Sequence, residues 1–468
     1  MKTWTCAAAV LVVLSGATSA ADNAGDASRF LPNARPFPDP HGSFATVSAT
    51  GSIPTTGAFF QDLGSNGRRC VTCHQASDAW TVIPEHVQQR FNQTEGRDPI
   101  FRSNDGANCP TADVSTLPAR RRAYSLLLSK GLIRVGLTPP SNAEFSVVSV
   151  DNPHGCTDTT ELSVYRRVLP TTNLPFLSTV MWDARETFKD SQGKFIPVLD
   201  DLAHQVVSAT LGHAQAAQSP TQAQVNDIVA FEIQLFTAQT QDQRAGPLDR
   251  AGAKGGPATL ATQDFFLGIN DPLGGNPTGL PFSSVVFGLY TSWLAPPGHE
   301  DRDRREARQA IARGERLFNT QPIEITGVKG LNDVPLQDGK IHPSIPGFCG
   351  TCHDSPNVGD HSVPAPLDIG IADASRRSAD LPLITLMRTS TGELIQTTDP
   401  GRALITGKWA DIGKFKGPIL RAVGARAPYF HNGSAATLLD VVTFYDTRFT
   451  LRLSDRDKSD LVAFLATL

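Results

Sequence analysis

Two short strings in this chain carry residue types that can do redox chemistry at a fixed spacing. Cys70-Val71-Thr72-Cys73-His74 and Cys349-Gly350-Thr351-Cys352-His353 both read C-x-x-C-H. Two thiols at this spacing can add across the two vinyl groups of one porphyrin, and the imidazole that follows then reaches the iron from its proximal side. The competing uses of such a string are a redox dithiol, which wants a βαβ setting, and half of a zinc site, which wants four ligands in one place. Two full matches in one chain favour two covalently bound c-type haems. Cys70, Cys73, Cys349 and Cys352 would anchor them, and His74 and His353 would ligate the irons.

The other cysteines bear on compartment. The chain has 7 in all. Cys6 falls in an opening that reads as a secretory signal: Lys2, an apolar run from Cys6 to Leu14, and small residues Thr18, Ser19 and Ala20 before the expected cleavage point. That run is too short to cross a bilayer, and no later stretch is apolar for long enough, so no membrane span is expected and the mature protein should be periplasmic. Cys109 and Cys156 then remain. In an oxidising compartment leftover cysteines commonly pair, here closing a polar insertion; two free buried thiols are the alternative.

The elements that must position these groups come from composition and pattern. The 468 residues are 40% hydrophobic and 19% charged, which is globular composition and excludes a disordered chain. A formal net charge of -4 gives no basic field for nucleic acid. Residues 1–20 are the signal and 21–55, rich in Pro, Gly, Ser and Ala, read as an extended arm. A first haem region spans 56–245, a Gly/Pro-rich connection 246–300, and a second haem region 301–468. Helices are predicted over Val198 to Leu211, ended by Gly212, and over Gln224 to Thr240. Two more are predicted over Arg304 to Phe318 and from Ser454 to Leu468, the last capped by Ser454 and apolar at Leu461, Phe464, Leu465 and Leu468. The expected fold is mainly α: two cytochrome c-like haem domains with long loops and insertions.

Several segments resemble one family. Trp182-Asp183-Ala184-Arg185 resembles the F-W-D-G-R segment of the bacterial di-haem cytochrome c peroxidases, with Arg167, Pro170 and Asn173 similar to the approach to it. Leu199-Asp200-Asp201-Leu202-Ala203 resembles the family's acidic helix. Phe415-Lys416-Gly417-Pro418-Ile419-Leu420-Arg421 and Ala427-Pro428-Tyr429-Phe430-His431-Asn432-Gly433 resemble its second-domain signature. The resemblance implies a peroxidatic haem at His74, an electron-transfer haem at His353 and Trp182 as relay between them. It implies hydrogen peroxide as oxidant and a small redox protein, such as a cytochrome c or cupredoxin, as electron donor. A di-haem electron carrier without substrate chemistry is the alternative.

Two departures refine this expectation. The family's Met ligand to the second iron has no counterpart; Tyr445 stands at its place, as in the MauG branch, whose members stabilise high-valent iron and can oxidise a partner. A phenolate is a hard anionic donor that favours oxidised iron. The family's Glu near the first haem is also missing, and His213 is the nearest ionisable residue to its place, a candidate acid/base. His86 is a candidate distal ligand, His204 a weaker one, and His41, His154, His299, His342 and His361 read as loop residues. The family's interdomain calcium would use carbonyls of Arg426 and Pro428, but its Asn ligand has no clear match, with Arg167 or Val168 near its place.

Overall fold

A computed structural model describes residues 29–295, 301–336 and 338–468. The expected signal over 1–20 and His299 lie outside the described residues. Of the described residues 30% are helical and 18% strand, so "mainly α" is too simple: short 3₁₀ turns carry the two haem motifs among the helices, while several small sheets tie distant segments together.

The second half is built on a crossing of two helices. Arg302–Thr320 is amphipathic, capped by the Asp301 side chain accepting from Arg304 N–H, and it buries Ile311, Ala312 and Phe318. Asp455–Leu465 starts at a capping box between Ser454 and Asp457, and Leu461, Phe464, Leu465 and Leu468 are all buried, as their spacing predicts. The two backbones touch at Gly314, where a Cβ would stand 1.9 Å from the carbonyl oxygen of Asp460, so only glycine permits the approach. This crossing packs Phe318 and Phe464 with Phe287 into one core.

Phe287, Tyr290 and Trp293 come from the segment expected to be a connection, 246–300. As far as it is described, that segment forms a wall of the second core, because burying three aromatic side chains outweighs the pull of its Gly and Pro content toward loop. The region expected to be an arm, 21–55, also differs. From Phe30 onward it contains strands, and Gly42–Ser48 pairs antiparallel with Leu235–Asp242 in a four-stranded sheet. The same pairing corrects the helix predicted over Gln224 to Thr240. The helix is Gln222–Ile233, opened by a Thr221/Gln224 capping box, and the chain then switches to strand. Leu235-Phe236-Thr237 contains β-formers, and their backbone groups are satisfied across the sheet by the supposed arm. Val198–Gly212 forms as predicted, and Gly212 closes it as its last helical residue.

Cys109 and Cys156 form a disulfide. Within the loop it closes, Phe145–Asp151 pairs with Leu383–Arg388, which in turn pairs with Leu394–Thr397, so the insertion is bolted to the second half by a three-stranded sheet. No described helix is long and apolar enough to cross a membrane.

Candidate active site

Each C-x-x-C-H string forms the same tight turn. Cys70–Thr72 and Cys349–Thr351 are single 3₁₀ turns. In both, the threonine hydroxyl accepts from the backbone N–H just ahead of the turn, Arg69 N and Phe348 N, at 2.9 Å. The histidine N–H donates back to the first cysteine's carbonyl, at 3.0 Å for His74 and 3.1 Å for His353. The imidazoles are oriented alike. His74 Nδ1 lies 3.0 Å from the carbonyl oxygen of Trp80, and His353 Nδ1 lies 2.7 Å from that of Gly359. A carbonyl only accepts, so Nδ1 carries the proton and Nε2 is left with its lone pair, the form that binds a metal. Burial pushes His74 down to about 4 and lowers His353, so both rings are neutral. A phenylalanine flanks each ring: Phe59 is 6.4 Å from His74 and Phe318 is 6.2 Å from His353.

These features fit a c-type haem and not the competing uses. All four cysteines are unpaired, and neither turn sits in a βαβ unit. Burial raises all four thiols, taking Cys70, Cys349 and Cys352 to about 12, opposite to the low values of reactive redox thiols. Among the described residues, no group of three or more His, Cys, Asp or Glu is arranged to hold a metal ion by itself.

The first turn opens on a cavity of ≈ 1590 Å³, counting its solvent-open mouth. Its walls include Cys70, Cys73, His74, Trp182 and His213, brought together from three separate parts of the first half. His213 follows the end of helix Val198–Gly212, and its Nδ1 donates to Asp105 Oδ2 at 2.5 Å. Asp105 in turn pairs with Arg68, two residues before the first cysteine. Burial alone would raise the Asp105 carboxyl, but the His213 and Arg68 contacts outweigh it and hold the group below its ordinary value. An ionised carboxylate fixes Nδ1–H on His213 and frees Nε2 to exchange a proton. Nothing in the spacing of Asp105 and His213, 108 residues apart, points to this pair. His86, the candidate distal ligand, is instead bonded to Asp78 and is absent from the cavity walls. His204 is held by Glu186, and His361, expected in a loop, is buried against Asp354.

No family model matches the chain. A cytochrome-c peroxidase, IdrP1, of Denitromonas iodatirespirans is 31% identical over 140 residues, which is 26% of this chain and 36% of that protein. Cytochrome c551 peroxidase of Nitrosomonas europaea is 41% identical over 76 residues, 16% of this chain and 23% of that protein. Over these segments the chain is related to the bacterial cytochrome c peroxidases. The matches span about a third or less of the length of these curated relatives. A solved MauG-like protein associated with microbial copper homeostasis is similar at a TM-score of 0.37 and 16% identity, covering 88% of this chain and 85% of that one.

Further features of this chain lie around and between the two turns. Tyr445 sits on helix Leu438–Phe449, in a half-buried position with Cys352 and Cys349 as its electrostatic neighbours. Burial, then those thiols, raise its phenol above the ordinary value. Trp182 joins the halves: its Nε1–H donates to the Arg167 carbonyl at 2.8 Å, its own carbonyl accepts from Lys416 N–H, and its ring meets His431 edge-on at 6.3 Å. His431 stacks on Phe415 at 3.8 Å. The turn holding Trp182 is clamped by Arg166, buried between Asp183 and Asp399.

The calcium expectation does not fit. The Arg167 guanidinium donates to the carbonyls of Lys130, Arg426 and Ala427, at 2.8, 3.3 and 3.4 Å. A fixed organic cation thus occupies the carbonyl cradle in which Arg426 was the expected ion ligand, and a buried Arg beside a divalent ion would meet strong repulsion.

Proposed function

We propose that this chain is an exported, periplasmic di-haem c-type oxidoreductase of the peroxidase/MauG type. The observation that carries the reading is the repeated imidazole geometry: two C-x-x-C-H turns, each with its histidine Nδ1–H on a backbone carbonyl and Nε2 available to iron. When bound, haem supplies the one-electron chemistry that no side chain here can supply. Cys70 and Cys73 would hold the first group, and His74 would ligate its iron. Cys349 and Cys352 would hold the second, with His353 and Tyr445 as its iron ligands.

The protein's own residues do the rest. His213, oriented by Asp105, takes a proton from one oxygen of hydrogen peroxide and returns it to the other, which O–O cleavage requires. Trp182, touching His431 and lining the first cavity, carries electrons from the second half to the first. A small redox protein feeds the second site, or a partner protein is oxidised in its turn.

The test is the holoprotein made with c-haem maturation. Two haems per chain, high-spin iron at rest and peroxide turnover are expected. One haem or none overturns the assignment, and two haems that are six-coordinate at rest and after reduction would make the protein an electron carrier.

A further inference from the structure

Glu232 is a buried acid that the reaction above does not use. It lies in the last turn of helix Gln222–Ile233, is 3% exposed, lines the cavity of the first haem motif, and its Oε2 has no hydrogen-bond partner. Its charge acts on Cys70, one of the two cysteines that would anchor the porphyrin. The elements packed around it offer no counter-charge. The turns Ala58–Phe60 and Leu174–Phe176 are apolar, and helix Val198–Gly212 turns Leu202 and Val206 toward the same cluster. That helix's Asp201 accepts from Phe188 N–H and its His204 is held by Glu186. On Glu232's own helix, Asp227 is bonded to Ala58 N–H. On the other cavity walls Arg68 and His213 are tied to Asp105, Arg166 to Asp183 and Asp399, and Arg185 to Asp183. Arg167 and Arg426 donate to backbone carbonyls, Lys416 faces Asp360, and neither these nor Arg69 is among the influences on Glu232.

We infer that Glu232 is the proton-accepting site tied to electron entry at the first haem: as one electron arrives, its carboxylate takes up one proton from solvent. The inference rests on reading Cys70–His74 as a haem site. A ferric centre carries positive charge that favours an ionised carboxylate nearby, and its one-electron reduction removes that charge. Left ionised, Glu232 would then be an uncompensated buried anion, which is costly. Proton uptake converts –COO⁻ to –COOH, and the cavity gains no net charge: one electron from the donor, one proton from water. Burial alone already pushes this carboxyl up to about 8 in the absence of any such charge, so the proton is held across neutral pH once the positive centre is neutralised.

The experiment is a spectroelectrochemical titration of both haems in the holoprotein at several pH values around neutrality. For wild type, the first haem's equilibrium should shift tenfold per pH unit, about 59 mV for a one-electron couple. In Glu232→Gln the slope should vanish for the first haem and stay as in wild type for the second. A slope retained in Glu232→Gln, or absent in wild type, overturns the inference. If that variant fails to fold, infrared difference spectra of wild type decide. Reduction should produce a protonated-carboxyl band that moves on ¹³C-carboxyl labelling of glutamate, which porphyrin propionates would not; no such band overturns the inference. A wild-type protein with no haem on Cys70 and Cys73 would overturn the functional reading and this inference together. Haem in place without the Glu232-dependent slope sinks this inference alone.

Discussion

The two haem-motif regions agree closely on one side and differ on the other. On the proximal side, the turn, the threonine bond, the Nδ1 bond to a carbonyl six residues on and the flanking phenylalanine are the same in both. Around the turns, the first region opens on a cavity with an acid–histidine–arginine network, while the second has the phenol of Tyr445 near Cys349 and Cys352. The shared side is local chain; the differing sides are assembled from residues far away. On the function proposed above, one attachment device would serve two unlike reactivities, because the surroundings of each turn are set by tertiary packing.

The largest effects should come from the shared side. Replacing Cys70 and Cys73 with Ala, or Cys349 and Cys352, should each lower covalent haem from two per chain to one, read by the pyridine haemochrome spectrum; loss of both from either variant would mean that the regions do not load independently. On the differing side, His213→Gln should cut peroxide turnover about 10²–10⁴-fold, the usual worth of a general acid/base, and leave the second haem's spectrum alone. Tyr445→Phe should do the reverse, changing the spectrum and raising the potential of the second haem only. An unchanged spectrum in that variant would make Tyr445 a packing residue.

Stability sharpens the comparison further. Asp105→Ala strands Arg68 in the interior and should cost about 3–5 kcal/mol in denaturant unfolding; a near-neutral result would show that water reaches the pair. The two buried acids of the first cavity should also respond to pH with opposite sign. Asp105 has its folded value below 3.8, so its contribution is present above pH 3.8 and lost as pH falls through the folded value. Without a ferric charge beside it, as in the reduced or haem-free protein, Glu232 has its value raised from 4.5 to about 8, so stability there is highest below pH 4.5 and declines as pH rises to about 8. Glu232→Gln should remove the second trend and keep the first. The smallest effect is expected from calcium chelation. With Arg167 donating to three carbonyls at the interface, a chelator should leave turnover and the unfolding midpoint unchanged, and a loss restored by calcium would place an ion elsewhere.

Much of this was legible before any fold was known, and the exceptions share a cause. The haem turns, the terminal helix and its cap depend on residues within a few positions of one another, so spacing carries them. Local pattern extends the helix over Leu235 to Thr240, where the structure has strand, because the pairing partner lies almost two hundred residues away in a segment that looks featureless alone. Ala184 shows a subtler limit. It adopts φ 59° where the resembled motif has Gly, a left-handed conformation costing about 1–2 kcal/mol. It persists because Arg166, Asp183 and Arg402, which donates to the Ala184 carbonyl, hold the turn.

The sequence by itself determined the chemistry available: four cysteines and two histidines at haem spacing, no methionine at the expected second-ligand position, and a tyrosine in its stead. Tertiary structure alone decided which groups meet. It brought Asp105 to His213, buried Glu232 in the wall of the first cavity without a counter-charge, and filled the carbonyl cradle at Arg426 with Arg167. The physical reason is range. Covalent spacing and local hydrogen bonds act over a few residues, whereas burial and charge pairing depend on whichever surfaces the folded chain presses together.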